Sequence, residues 1–289
     1  DVSNTVDVSN PVVVAQVVGD LLQRLCPDFD RIVLQRLFTD FQAFYTGRFP
    51  GYRACDIRYH NAQHVLDVTL AMARLLDGMV RSDEDTQALE SDDLLVGITA
   101  ALFHDSGYLR SVHDSRHASG AAYTRVHVGS GARLLHKYLT QSGLQRCAGS
   151  CARIIQFTGY EVLPQDVPVA NDRERLLGHL LGTADLIAQI ADINYISKCR
   201  EHLYAEFVAG GLALEPGAKP REDLVYHSPE HLLRLTPRFI KEAVEQRLDG
   251  HFQGVHRFAA THFGGRNLYM EAIEQNRASL TAMLSGGSP

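Results

Sequence analysis

The sequence predicts an all-α protein folded as one compact helical domain. Three observations carry this. Apolar residues recur at spacings of three and four through almost every segment. Alternating β-branched runs and hairpin dipeptides are missing. No Pro/Ser-rich linker divides the 289 residues, and no repeat of solenoid period is present. A hydrophobic share of 45% against 21% charged residues suits a chain with a real core.

Taken in order, residues 1–10 duplicate a DVSN tetrapeptide and read as a polar, frayed segment. Residues 11–50 carry two N-terminal helices. Val14, Val17, Val18, Leu21 and Leu22 mark the first, and Leu34, Leu37, Phe38, Phe41 and Phe44 mark the second, from about Phe29 to Tyr45. After a Gly- and Arg-rich loop, a long helix runs from about His60 to Val80. Asp92 or Asp93 caps the next, Leu94 to about His104, which is apolar nearly all round and so belongs at the centre. Gly107 stops it. Further helices are expected over Tyr123–Ser142, Leu144–Thr158 and Arg173–Ala209, then Pro229–Gly250 and Gly254–Leu284 with a break near Gly264–Gly265.

Composition excludes several classes. A net charge of −6 argues against an unspecific binder of nucleic acid or anionic membrane. The longest apolar run, Leu94 to Phe103, falls far short of the roughly 20 residues that span a bilayer. Five scattered cysteines without a C-x-x-C pair read as reduced thiols, with Cys147 and Cys151 packing on one helix. With no visible signal peptide, the expected location is the cytoplasm. The chain starts at Asp1 and not at Met, as a piece of a longer protein would. The unusual feature is fourteen histidines beside no tryptophan, because histidine is the commonest metal ligand and acid–base side chain.

Three segments concentrate His and Asp. His60, His64 and Asp67 stand at i, i+4 and i+7, which places all three on one helix face. His104 and Asp105 end the most apolar helix, where a bare polar pair is costly. Asp185 sits in an apolar helical run and needs a partner. Two imidazoles and two carboxylates (His64, His104, Asp105, Asp185) suit a divalent ion such as Zn²⁺, Mn²⁺, Mg²⁺ or Fe²⁺. A carboxylate can bridge, so one or two ions are expected per chain.

These motifs resemble the HD superfamily of metal-dependent phosphohydrolases. Tyr59-His60-Asn61-x-x-His64-x-x-Asp67-Val68 resembles the YHNxxHxxDV signature of class I cyclic-nucleotide phosphodiesterases. Phe103-His104-Asp105 and Ala184-Asp185-Leu186 are similar to that family's HD and ADL elements, and His127-Val128-Gly129 to a third helix. The resemblance implies a metal-binding core over residues 51–209, with residues 210–289 closing the pocket. It implies that His64, His104, Asp105 and Asp185 hold the first metal, with Asp105 reaching a second. His60 would be the general acid, Asp67 would orient a His ring, and His127 would face metal-bound water. The implied partner is a small phosphoester, nucleotide-like, with no nucleic acid duplex and no membrane. The chain departs from the family where Ser106-Gly107-Tyr108 replaces HPG and where Ile187-Ala188-Gln189 follows ADL.

Among the other histidines, His113 and His117 are candidates for the pocket mouth or a second metal. His136, His179 and His202 read as polar-face residues, and His227, His231, His251, His256 and His262 have no partner motif. Two further functions stay open. One is a non-catalytic metal- or ligand-binding regulatory module. The other is a di-iron HD-type oxygenase, which requires His113, His117 and His127 to converge on a second iron.

Overall fold

The computed structural model describes residues 1–82, 89–219 and 224–286. Twelve α-helices, joined by short 3₁₀ and π turns, make up its described elements. The described residues hold no β-strand, only two isolated bridges, Tyr52–Ser111 and Ala213–Tyr226. One apolar cluster runs from Val8 to Leu280, as the all-α, single-domain expectation requires.

Helix α1 (Pro11–Leu25) starts where the Asn10 side chain accepts from the amides of Val12 and Val13, with Pro11 at the first position. Helix α2 (Arg31–Tyr45) is capped in the same way by Asp30. The segment before α1 is not frayed. Val8 is buried, and the Asp1 carboxylate accepts from Arg74 at 2.6 Å and from the amides of Thr5 and Val6.

Three helices form the centre. α3 (Ala62–Val80) packs on α1, on α4 (Ser91–Phe103) and on α7 (Asp172–Ile190). Every residue of α4 from Leu94 to Phe103 is buried, as its unbroken apolar sequence predicts. Its N-cap is Glu90 and not Asp92 or Asp93; the Asp93 carboxylate reaches back to the Glu90 amide at 2.9 Å, closing a capping box. α5 (His127–Gln141) and α6 (Gln145–Ile154) cover one side of α4. All five cysteines are free thiols, and Cys147 and Cys151 are buried in packing roles.

The expected long helix over 173–209 is broken. α7 stops at Ile190, and the chain turns through 93° before α8 (Tyr195–Lys198), a π turn (Cys199–Leu203) and α9 (Tyr204–Ala209). Asp192 makes the corner: its carboxylate accepts from the Asn194 amide at 2.7 Å and pairs with Lys198. The Asn276 carboxamide donates to the carbonyls of Ile190 and Asp192, so the elbow is tied from outside as well. No single helix among the described residues is long and apolar enough to cross a membrane.

α10 (Pro229–Glu242), which holds Pro237 in its interior, continues into a π-helical stretch, Ala243–His251. α11 (Phe258–His262) and α12 (Leu268–Leu284) follow, separated where Gly264 (φ 74°) and Gly265 (φ 116°) adopt left-handed backbone. That break lies where the glycine pair predicts it.

Candidate metal centre and adjoining cavity

Four elements meet at one point. α3 presents His64 from its first turn, α4 ends on His104 and Asp105, α7 presents Asp185, and α5 begins at His127. One nitrogen each from His64 and His104 and one oxygen from Asp105 lie within 4.8 Å of one another. Asp105 Oδ2 is 3.2 Å from His104 Nε2 and 3.5 Å from His64 Nε2. Asp185 Oδ1 closes the next side, 3.3 Å from His64 Nε2 and 3.7 Å from His104 Nε2. His127 Nε2 stands 3.8 Å from the other Asp105 oxygen.

Backbone carbonyls set the tautomers. His104 Nδ1 donates to the Ala101 carbonyl at 2.8 Å, and His127 Nδ1 donates to that of Thr124 at 2.8 Å. Each ring therefore turns its Nε2 toward the carboxylates. The buried atoms His64 Nε2, His104 Nε2 and Asp105 Oδ2 have no hydrogen-bond partner. Three orphaned donors converging in the interior would be costly alone. A divalent cation satisfies all three at once, so the residues fit the group. Burial opposes the charged form of His104, yet Asp105 and Asp185 outweigh it and hold the ring's pKa up at about 9. The same negative field attracts any cation to this point.

The tight turn after Asp105 depends on Gly107. A Cβ there would meet the His127 carbonyl oxygen at 1.8 Å, so the turn lies directly on the start of α5. Gly107 is needed for close approach; its backbone is not the left-handed helix stop that the sequence suggests.

His60 is not on α3. Asn61 caps that helix by accepting from the His64 amide, leaving His60 in the preceding loop. The shared face of His60, His64 and Asp67 therefore fails. Glu206 holds His60 instead: its Oε2 accepts from His60 Nδ1 at 2.7 Å, and its Oε1 accepts the backbone amides of Tyr59 and His60. Burial lowers the imidazole pKa, but Glu206, with help from Asp105 and Asp185, raises it to about 9. Tyr108 stacks between His60 (5.0 Å) and His127 (4.3 Å).

Other sites differ from expectation. Asp67 makes no hydrogen bond to a histidine, and its Oδ1 is buried without a partner. His113 is exposed, and His117 Nδ1 is bound to Asp114 at 3.1 Å; neither lines the cavity described next. His179 is buried, between Phe157 and Phe252 at 5.7 and 5.9 Å, and lies on no polar face. His262 has a partner after all: its Nδ1 donates to Asp77 at 2.6 Å.

The metal cluster forms one end of a cavity of about 460 Å³, with His60, Asp105, His127 and Asp185 on that wall. α7, α9 and α10 supply much of the remainder. The Arg247 guanidinium braces the Gly159–Tyr160 part of its lining, donating to the carbonyls of Phe157 and Gly159 at 2.8 and 2.9 Å and lying 4.1 Å over the Tyr160 ring. Glu206, Tyr108 and Arg247 were not found from the sequence. Glu206 alone carried a signal, an acidic residue in the apolar stretch Tyr204–Val208, of the same kind that marked Asp185.

An all-helical domain with a buried His-His-Asp cluster at the end of a deep cavity defines the class of fold. The chain is similar to the phosphodiesterase domain of the RhoPDE fusion protein from the choanoflagellate Salpingoeca rosetta, with a TM-score of 0.58 and 16% identity over 99% of this chain and 94% of that one. The likeness is one of fold. No family profile and no curated protein sequence matches the chain.

Proposed function

We propose that the protein is a metal-dependent phosphoester hydrolase of phosphodiesterase type. The convergence of three unsatisfied buried donors, beside Asp185 and at the end of a cavity that also holds His60, carries this reading. His64, His104, Asp105 and Asp185 would hold a divalent ion. Such an ion supplies Lewis acidity toward a phosphoryl oxygen and makes water nucleophilic near neutral pH.

The chain's own residues do the rest. His60, protonated and held by Glu206, donates its Nε2 proton to the departing alkoxide as the P–O bond breaks. Water and the diester thus give a phosphomonoester and an alcohol. Glu206 fixes the ring and keeps the proton on it through the neutral range. His127, its Nδ1 donor already used on Thr124, keeps an accepting Nε2 beside Asp105 and orients the attacking water. The di-iron reading loses its support, since His113 and His117 lie away from the cluster.

Purified protein supplied with Mn²⁺ or Zn²⁺ is expected to hydrolyse bis(p-nitrophenyl) phosphate. Activity retained in Asp105→Ala would overturn the assignment of the site.

A further inference from the structure

The hydrogen-bonding groups of the cavity are largely committed to the protein itself. The hydroxyls of Thr124, Thr158 and Thr236 line it, but each donates to a carbonyl of its own segment, Ala121, Ile155 and Leu232, at 2.7 to 2.9 Å. Glu161 accepts from the Tyr160 amide. Among the described lining residues none is Lys or Arg. Much of the remaining lining is apolar: Leu203, Phe207, Leu212, Leu232, Leu235 and Phe239. Gln189, beside Asp185, and the tyrosine hydroxyls are the polar handles left.

Two of the lining residues, Tyr160 at 62% exposure and Leu235, are also exposed, so the apolar lining reaches the surface.

Accepting the hydrolase reading of the same centre, we infer that the substrate is a singly charged phosphodiester with an extended aliphatic group, whose chain lies along the leucine and phenylalanine wall while its phosphate meets the metal ligands. Polyphosphates are disfavoured, because no Lys or Arg lines the cavity to neutralise further charge. A polar heterocycle would desolvate its edges against threonines whose donors are already used. The volume of about 460 Å³ lies within the range of ordinary small-ligand sites and accommodates a medium-length chain.

The test is calorimetric titration of the Mn²⁺-loaded protein with n-alkyl phosphates from methyl to octyl, the monoester products that hydrolysis of such diesters releases, and with 5′-AMP as a polar monoester of similar bulk and equal charge. Affinity is expected to rise about threefold per added methylene, with octyl phosphate binding more tightly than 5′-AMP. In Leu235→Ser and Phe239→Ala, checked for folding by thermal melt, the gain per methylene is expected to fall below twofold. A flat series, or tighter binding of 5′-AMP than of octyl phosphate, overturns the inference. Hydrolysis of bis(p-nitrophenyl) phosphate, measured in parallel, tests the hydrolase reading on its own, so the two fail separately.

Discussion

The Glu206 carboxylate accepts the Nδ1 proton of His60 at 2.7 Å across 146 residues of chain, joining α9 to the loop before α3. A general acid is active only while protonated, so activity falls as pH rises through its pKa. Glu206 raises that pKa. In Glu206→Gln the alkaline fall of kcat/KM is expected at lower pH than in the parent, with a loss on the order of 10²-fold at pH 8. An unchanged pH profile would mean that the pair is only structural.

Metal loading should register as stability. The three orphaned donors gain a partner only in the folded state. At a free metal concentration 100 times its Kd, stabilisation is about 2.7 kcal/mol, which raises Tm by several degrees. Scanning calorimetry with and without Zn²⁺ checks this. Asp105→Ala and His104→Ala are expected to abolish the shift, and elemental analysis should find them depleted of metal.

His179 gives a pH dependence remote from the chemistry. Burial against Phe157 and Phe252 lowers its pKa to about 4 from the ordinary value near 6.5. The folded state therefore binds this proton less readily than the unfolded chain does. Its contribution is complete above about pH 6.5 and is lost as pH falls toward about 4, on the order of 3 kcal/mol at most. Urea titrations at pH 7.5 and 5 measure it. His179→Phe, which cannot take the proton, should be less sensitive over that interval.

Gly107→Ala tests the turn that follows Asp105. The added methyl group meets the His127 carbonyl at 1.8 Å, so either the turn or the start of α5 must move. A destabilisation of about 1–3 kcal/mol is expected. Activity should fall further than that loss explains, because the displaced elements carry Asp105 and His127. A variant of parental Tm and activity would show that the contact relaxes without cost.

The fold class was legible because apolar spacing marks nearly every helix, and the apolar run of α4 announces its central place. The metal cluster was legible for a similar reason, since carboxylates and imidazoles in apolar surroundings demand partners. What sequence could not supply was pairing at long range. Glu206 meets His60 only because the chain bends 93° after Ile190, and neither that bend nor the Asn276 contacts that support it follow from local periodicity. His60 does line the cavity beside Asp105, but from the loop and not from α3, because a period-four spacing does not reveal that Asn61 is the helix cap. The burial of His179 was hidden likewise, since both of its aromatic neighbours come from other segments.

The elbow at Asp192 divides two duties along a single stretch of chain. α7, on one side, carries Asp185 of the metal cluster; α9, on the other, carries Glu206. A nascent chain that has emerged only as far as Ile190 already contains every candidate metal donor but lacks the carboxylate that aims the acid. The loop of residues 191–194 is therefore the hinge point between the segment that carries the candidate metal ligands and the segment that carries the partner of His60.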